Sequence, residues 1–172
     1  MHESALLDDI FIDGAFFSPD RVYRYLLRRK IGVQRTTCLF IMLNPSTADE
    51  KRNDPTVSRC IGFAKHWGFG RLEVCNIFAY QATDPKELYD LEYPSQVIGP
   101  DNDKHIRHAV ERADRVVCAW GNHGVLFDRG IYIRQAIMLQ DKFPFAFKIT
   151  NKGQPIHPLY QKADAPLITW TG

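Results

Sequence analysis

The stretch TCLFIML, residues 37–43, decides the fold of this chain. It is apolar from residue 38 onward and stops at Asn44-Pro45-Ser46. A strand that is buried on both faces of a parallel sheet reads as a continuous apolar run and ends in a turn. We therefore predict a buried strand over residues 37–43, followed by a turn.

Helical and strand patterns alternate after this strand. Asp54-Pro55 predicts the start of a helix, because Asp is a favoured N-cap and Pro suits the first turn. Alternation of strands with helices implies a mostly parallel sheet that is covered on both faces. The predicted fold is thus a three-layer α/β/α domain. Its further strands are expected over 72–80, 115–120 and 145–149, and its further helices over 102–112 and 128–139.

The region before residue 37 predicts an N-terminal β-hairpin. Residues 10–17 and 21–29 are rich in aromatic and branched side chains, and Ser18-Pro19-Asp20 separates them. No linker-like segment divides the 172 residues, which are enough for one sizeable core. We expect a single domain over 1–172, with the hairpin extension at 1–36 and the core at 37–172.

Composition excludes several classes of protein. The 22 Lys+Arg residues nearly balance the 20 Asp+Glu residues, which rules out a binder that relies on bulk positive charge but permits a local basic face. No run of eighteen apolar residues and no signal-peptide pattern occurs, so we expect a cytoplasmic protein without a membrane partner. The cysteines form no C-x-x-C pair, which favours buried free thiols over a zinc or iron-sulfur site. They are Cys38, Cys60, Cys75 and Cys118.

Amide and imidazole side chains follow the predicted strands. Asn44 follows the first strand, Asn76 lies in the second, Asn122 follows the third, and His157 follows the fourth. Ligands of such sheets bind outside the carboxyl ends of the strands, so these residues are expected to converge. Asn and His without a neighbouring Ser or Cys nucleophile suit a site that positions water and stabilises a departing anion.

These segments resemble, in the same order, the motifs of the uracil-DNA glycosylase superfamily. A buried strand followed by Asn44-Pro45 resembles the first motif of its mismatch-specific branch, and residues 116–122 are similar to its third-strand segment. His157-Pro158-Leu159 resembles the second catalytic motif. The segments NPSTAD at 44–49 and HPLY at 157–160 also resemble signatures of a bacterial and phage family to which no activity is assigned.

The resemblance implies a glycosylase-like fold and a role for each matching residue. Asn44 would hold the attacking water, His157 would stabilise the leaving base, and Asn76 would read the base edge. Further base contacts are expected from Ser46, Thr47, Phe63 and Asn122, and DNA contacts from Pro45, Pro158, Leu159 and Lys152. The implied protein is a monomer that acts on DNA and needs no metal or organic cofactor.

The first motif also departs from that family. Classical members carry Asp and a bulky Tyr where this chain has Asn44 and the small Ser46 and Thr47, so both the water-activating carboxylate and the wall at the 5-position of the base are missing. This predicts a flipped pyrimidine with an enlarged 5-substituent as the substrate, and a role in defence against phage with modified DNA. Unmodified uracil, the substrate of a repair enzyme, is expected to be poor.

Other interpretations of the same residues stay open. Asn44-Pro45 is also typical of a simple turn, Asn76 of a loop anchor, His157 of a surface loop, and Phe63 with Trp67 of a helix core face. The group Asp101, Asp103 and His105 fits either a metal site or a helix cap. The run Arg24, Arg28, Arg29 and Lys30 fits a solvated strand face or a phosphate contact. The alternative functions are a non-catalytic nucleic-acid or nucleotide-binding module, a uracil repair glycosylase, and an N-glycosidase of free nucleosides or nucleotides.

Overall fold

The predicted strand at 37–43 is the middle strand of a seven-stranded sheet in the computed structural model, which describes residues 10–171. The strands are β1 (Gly14–Phe17), β2 (Arg24–Lys30), β3 (Thr37–Met42), β4 (Arg71–Asn76), β5 (Arg115–Cys118), β6 (Pro144–Ala146) and β7 (Ile168–Thr169). The α-helices are α1 (Pro55–His66), α2 (Pro94–Ile98), α3 (Asn102–Arg112) and α4 (Arg129–Met138). Short 3-10 segments cover Pro85–Tyr89, Asn122–Asp128 and Pro158–Tyr160.

The strand order is β1-β2-β4-β3-β5-β6-β7. Strands β4, β3, β5 and β6 pair in parallel, and β2, β1 and β7 add antiparallel neighbours at the two sides. The mostly parallel central sheet that the alternating pattern predicts is confirmed. Its parallel strands all end at one edge, and this edge positions the polar residues of the candidate site.

Side chains alternate between the two faces of β3 and join two separate cores. Leu39 and Ile41 belong to the core that includes residues of α3 and α4. Cys38, Phe40 and Met42 belong to the core that includes residues of α1. Every residue of β3 is buried, as a strand covered on both faces requires. The three-layer α/β/α fold is therefore confirmed.

The predicted N-terminal hairpin is also confirmed, with its second strand beginning at Arg24. In β1 and β2, Phe16 is paired with Leu26. Strand β2 then pairs with β4, where Leu27 faces Val74, so the hairpin continues the central sheet. This pairing brings β2 beside the carboxyl end of β4.

All four predicted core strands run past the observed ends. Strand β3 ends at Met42 rather than 43, and β5 ends at Cys118 rather than 120. Strand β4 ends at Asn76 rather than 80, and β6 covers Pro144–Ala146 rather than 145–149. Residues 77–79 are fully buried although they lie outside the strand, so the apolar run indicated burial there and not strand structure. Strand β7, helix α2 and the segment Pro85–Tyr89 have no counterpart in the prediction.

The prediction of buried free thiols is confirmed. All four cysteines are free and buried. Within the described part of the chain, no helix is both long and apolar enough to cross a bilayer.

Candidate functional site

A cavity of about 200 Å³ opens at the carboxyl ends of β3 and β4. Four of the predicted site residues line it, namely Asn44, Ser46, Asn76 and His157. Four polar residues that we did not assign to the site share its wall, namely Arg24, Asp54, Thr56 and Thr83. The apolar part of the wall consists of Met42, Leu43, Val57 and Pro85. The cavity therefore joins the predicted amides and imidazole to a buried cation and a carboxylate.

Asn44 is held by the loop that follows β4. Its Nδ2 donates to the carbonyl of Ala82 at 2.7 Å and to that of Pro45 at 3.2 Å. The backbone N–H of Ala82 donates in turn to the carbonyl of Pro45 at 3.0 Å. The donors of the Asn44 amide are thus committed to the chain, and its Oδ1 is the atom that meets a ligand or a water as an acceptor.

Asn76 ends β4 and is almost fully buried, at 2% exposure. Its Oδ1 accepts from Nη2 of Arg24 at 3.4 Å, and its backbone carbonyl accepts from Nδ2 of Asn102 at 2.9 Å. A guanidinium has donors only, so the amide oxygen of Asn76 must face Arg24. The donors on Nδ2 are then left for a ligand.

His157 caps the 3-10 segment Pro158–Tyr160. Its Nδ1 accepts from the backbone N–H of Leu159 at 3.3 Å, which leaves the ring hydrogen on Nε2. Burial lowers the pKa of His157 below its ordinary value, against a smaller opposing effect of the Asp54 carboxylate. The ring is therefore neutral at neutral pH, and its one N–H donor is on Nε2.

Asp54 combines a structural and an electrostatic role. Its Oδ1 accepts from the backbone N–H of Val57 at 2.8 Å, which caps α1 as predicted, and its Oδ2 accepts from Ala48 N–H at 3.4 Å. It is the one carboxylate among the described residues that line the cavity. Its charge acts on both His157 and Arg24, since it raises the pKa of each.

The segment after β5 positions the loop that carries His157. The indole Nε1 of Trp120 donates to Oε1 of Gln154 at 2.8 Å, and the N–H of Gly121 donates to the carbonyl of Pro155 at 2.7 Å. Gly124 packs directly against this pair, because a Cβ there would lie 2.2 Å from Cδ1 of Trp120. Trp120 is 1% exposed and belongs to the core. The segment after β5 therefore holds the loop of His157 in place without lining the cavity.

Several predicted site residues do not line the cavity. Phe63 is 2% exposed and packs against Trp67 and Phe147 in the core, with ring centroids 5.5 and 4.6 Å away, so it is placed as a core residue rather than a stacking platform. Asn122 lies on the surface and its Oδ1 accepts from Thr150 at 2.6 Å. The other predicted residues outside the wall are the exposed Thr47 and Lys152, the buried Pro45 and Pro158, and the half-buried Leu159.

Asp101, Asp103 and His105, which the sequence offers as an alternative metal site, do not form one site in the structure. Asp103 forms an ion pair with Arg129, and the ring of His105 stacks on Tyr25 with centroids 4.9 Å apart. Asp101 lies at the N-cap position of α3, but its side chain makes no capping hydrogen bond. Among residues 10–171, no group of three or more His, Cys, Asp or Glu side chains is arranged to hold a metal ion.

A larger groove of about 520 Å³ lies at the opposite edge of the sheet, where β3 and β4 begin. Its buried carboxylate, Glu73, is bound by Arg28 at 2.8 Å and by Arg112 at 3.1 Å. The Glu73 carboxylate is therefore already paired within the protein. The groove also lacks the predicted amides and imidazole, so the cavity at the carboxyl ends is the candidate site.

Sequence reasoning left Arg24 open between a solvated strand face and a phosphate contact and did not assign it to the site. The sequence signal for its burial is the run Tyr25-Leu26-Leu27 directly after it, and residues 24–27 are indeed buried together at the start of β2. Asp54 was assigned to capping alone, although a helix that begins after a ligand-binding turn brings its N-cap to the same edge.

Fold and cavity together define an α/β protein with a polar cavity at the carboxyl edge of a mostly parallel sheet. The chain belongs to the family described as a protein of unknown function, DUF1643, which matches residues 24–159. The matched region begins at Arg24 and includes every residue of the cavity wall. No curated protein and no solved structure matches the chain.

Proposed function

We propose that the protein is a monofunctional DNA glycosylase that hydrolyses the N-glycosidic bond of a flipped pyrimidine with an enlarged 5-substituent. One observation carries this proposal: Asn44, Asn76 and His157 converge on one cavity from the carboxyl side of the sheet. The donors and acceptors that their contacts leave free match the needs of this reaction. The resemblance to uracil-DNA glycosylases assigns the same three residues to it.

The size of the cavity favours a single ring. Its volume is about 200 Å³. Sites for drug-sized ligands typically span roughly 300–1,000 Å³. An extruded base therefore fits better than a whole nucleotide, and unstacking it costs on the order of a few kcal/mol.

The proposed reaction separates charge between base and sugar. The bond between C1′ and the base nitrogen breaks and its electron pair goes to the base, while C1′ becomes cationic. Nε2–H of His157 donates to the base oxygen on which negative charge develops, and Oδ1 of Asn44 accepts from a water that bonds to C1′. That water loses a proton to solvent and the base gains one from solvent, so the net reaction is hydrolysis.

The expectation of a 5-substituent rests on the composition of the wall. Ser46 contributes a small side chain, and no Phe, Tyr or Trp is among the described residues that line the cavity. Excluding a methyl group needs a rigid blocking side chain, because an apolar pocket discriminates between ligands that differ by one methylene by only about 1–3 kcal/mol. The hydroxyls of Ser46 and Thr83 suit a polar substituent such as hydroxymethyl.

The test is incubation of the purified protein with duplexes that differ only in one pyrimidine, followed by mass spectrometry of the released bases. We expect release of a 5-substituted pyrimidine and alkali-sensitive abasic sites. Asn44→Ala should lose release while binding DNA as tightly as the wild type, because it removes water positioning and not a DNA contact. Faster release of plain uracil than of every 5-substituted base would overturn the substrate assignment.

Two further outcomes identify the alternative functions. A gel shift without abasic sites would indicate a non-catalytic binding module. Equal turnover of a free nucleoside and of the same residue in an oligonucleotide would indicate a nucleoside hydrolase.

A further inference from the structure

Arg24 is a buried cation on the wall of the cavity, where the charge of the Asp54 carboxylate raises its pKa. Its side chain is 2% exposed and lines the cavity. Nη1 donates to the carbonyl of Ala48 at 2.8 Å, Nη2 makes the long contact with Asn76, and Nε is buried without a partner. Among residues 10–171, no Asp or Glu forms an ion pair with it.

Arg29, on the same strand, shows how a purely structural buried arginine is satisfied. Its Nε donates to Oδ1 of Asn53 at 2.8 Å, and its two terminal nitrogens donate to four backbone carbonyls. It does not line the cavity. The contrast indicates that Arg24 keeps donor capacity at the cavity wall that the protein itself does not use.

Arg24 remains charged under physiological conditions. Burial lowers its pKa to about 10, which is still well above neutrality. Burial of a cation that forms no ion pair is unfavourable for folding. The charge of Asp54 offsets part of this cost, and an anionic ligand in contact with the guanidinium would offset more of it. A charge-assisted hydrogen bond to an anionic oxygen is also about twice as strong as one between neutral groups.

The neighbouring amide adds a second donor. Because Arg24 holds Oδ1 of Asn76, Nδ2 of Asn76 is the group left for a ligand. This part of the wall therefore presents donors and one positive charge. It complements an oxygen that carries negative charge and is poorly suited to an amino group.

We propose that Arg24 binds the ligand through an oxygen that carries negative charge, and that this oxygen is a carbonyl oxygen of the departing base. This assignment rests on the proposed glycosylase function. The base carries little charge before the bond breaks and a full negative charge afterwards. Arg24 therefore stabilises the transition state more than the bound substrate, which is the condition for accelerating the reaction.

The experiment compares two free pyrimidines by isothermal titration calorimetry at neutral pH. Barbiturate is a pyrimidine oxyanion at this pH, whereas uracil is its neutral counterpart. We expect the wild type to bind barbiturate at least about tenfold more tightly than uracil. Arg24→Met should abolish this preference, and Arg24→Lys, which keeps the charge but loses the planar fork, should keep part of it.

Arg29→Met is the matched control, since it removes a buried arginine from the same strand without changing the cavity wall. It should lose stability but keep the preference for barbiturate. If Arg24→Met does not fold, Arg24→Lys decides the question, because it keeps the charge but should lose part of the preference that the planar guanidinium provides. Equal affinities for the two pyrimidines, no detectable binding of barbiturate, or an unchanged preference in Arg24→Met would each overturn the assignment.

Inorganic phosphate is the second probe, because a nucleotide phosphate offers the same kind of oxygen. Tighter binding of phosphate than of barbiturate would place a phosphate group at Arg24 and overturn the assignment to the base. The result is distinguishable from failure of the proposed function. A preference for barbiturate without base release would support an oxyanion site at Arg24 and contradict the glycosylase function. Base release without that preference would support the glycosylase function and contradict the role of Arg24.

Discussion

Nη2 of Arg24 donates to Oδ1 of Asn76 across the boundary between the N-terminal hairpin and the parallel sheet. Strand β2 carries the arginine and β4 ends at the asparagine, and the two strands pair antiparallel. The contact fixes which way the Asn76 amide faces. A residue from the hairpin thereby determines what the end of a central strand presents to a ligand.

Asn76→Asp should change base recognition without unfolding the protein. The new carboxylate would pair with Arg24 and present an acceptor where Nδ2 now presents a donor, so release of bases with a carbonyl at that edge should fall at least about tenfold. Asn76→Ala should weaken release of all bases. Release rates on matched duplexes and a thermal melt check this, with the exposed Asn151→Asp as the control for an added charge. Wild-type preference in both Asn76 variants would make Asn76 a structural residue.

His157→Ala should lower the rate of base release by at least about a hundredfold, because a donor aimed at a developing oxyanion contributes on the order of 3 kcal/mol. The fold should persist, since the ring is partly exposed and makes one backbone contact. Single-turnover kinetics measure the chemical step, and His66→Ala on α1 is the control because His66 is exposed and outside the cavity. An unchanged rate in His157→Ala would remove the proposed mechanism.

The pH dependence should follow the neutral state of His157. Its pKa is lowered from the ordinary 6.5, so the folded protein keeps the ring neutral at pH values where a free imidazole is already protonated. Base release should stay constant as pH falls to 6.5 and decline only below it, because protonation of Nδ1 breaks the contact with Leu159. As pH falls, the unfolded chain binds a proton at His157 before the folded protein does. The contribution of His157 to the free energy of unfolding is therefore present above pH 6.5 and is lost as pH falls through the pKa of the folded state.

His105 provides the control for that profile. Burial lowers its pKa as well, but it does not line the cavity. The acid decline in the rate should therefore survive in His105→Gln, although the stability profile of that variant changes. A decline centred above 6.5 in the wild type would contradict the assignment to His157.

Two glycine substitutions should have opposite effects on stability. Gly124→Ala would bring a Cβ within 2.3 Å of Nε1 of Trp120, and overpacking of this kind costs about 1–3 kcal/mol. Gly62 lies in α1, and a Cβ added there would meet nothing within 4 Å, so Gly62→Ala should gain roughly 0.5–1 kcal/mol from helix propensity. Urea denaturation measures both. Gly124→Ala should also slow base release, because Trp120 and Gln154 position the His157 loop, whereas Gly62→Ala should not.

The layers of the fold were predictable because they depend on local patterns. An apolar run that ends at Asn44-Pro45 indicates a doubly buried strand, and the capping pair Asp54-Pro55 fixes where α1 begins. Helix α3 was predicted with its observed bounds, Asn102–Arg112. Strand ends were less predictable, since residues 77–79 are as apolar as a strand but only continue the buried core.

The cavity was predictable only in part. Asn44 and His157 follow predicted strands and Asn76 lies within one, so the topology of a parallel sheet was enough to predict that they come together. Arg24 reaches the same place through the pairing of β2 with β4, a long-range contact that no local pattern specifies. Phe63 was assigned to base stacking by its position after the first motif, but its partners Trp67 and Phe147 place it in the core.

The four buried thiols can serve as probes of local unfolding. Burial raises the pKa of Cys38 to about 12 and raises those of Cys60, Cys75 and Cys118, so almost no thiolate exists in the closed state at neutral pH. Alkylating reagents react with the thiolate, and labelling must therefore wait for local unfolding. The thiols lie on β3, β4, β5 and α1. Their separate labelling rates, read by mass spectrometry, would map which layer of the molecule opens first.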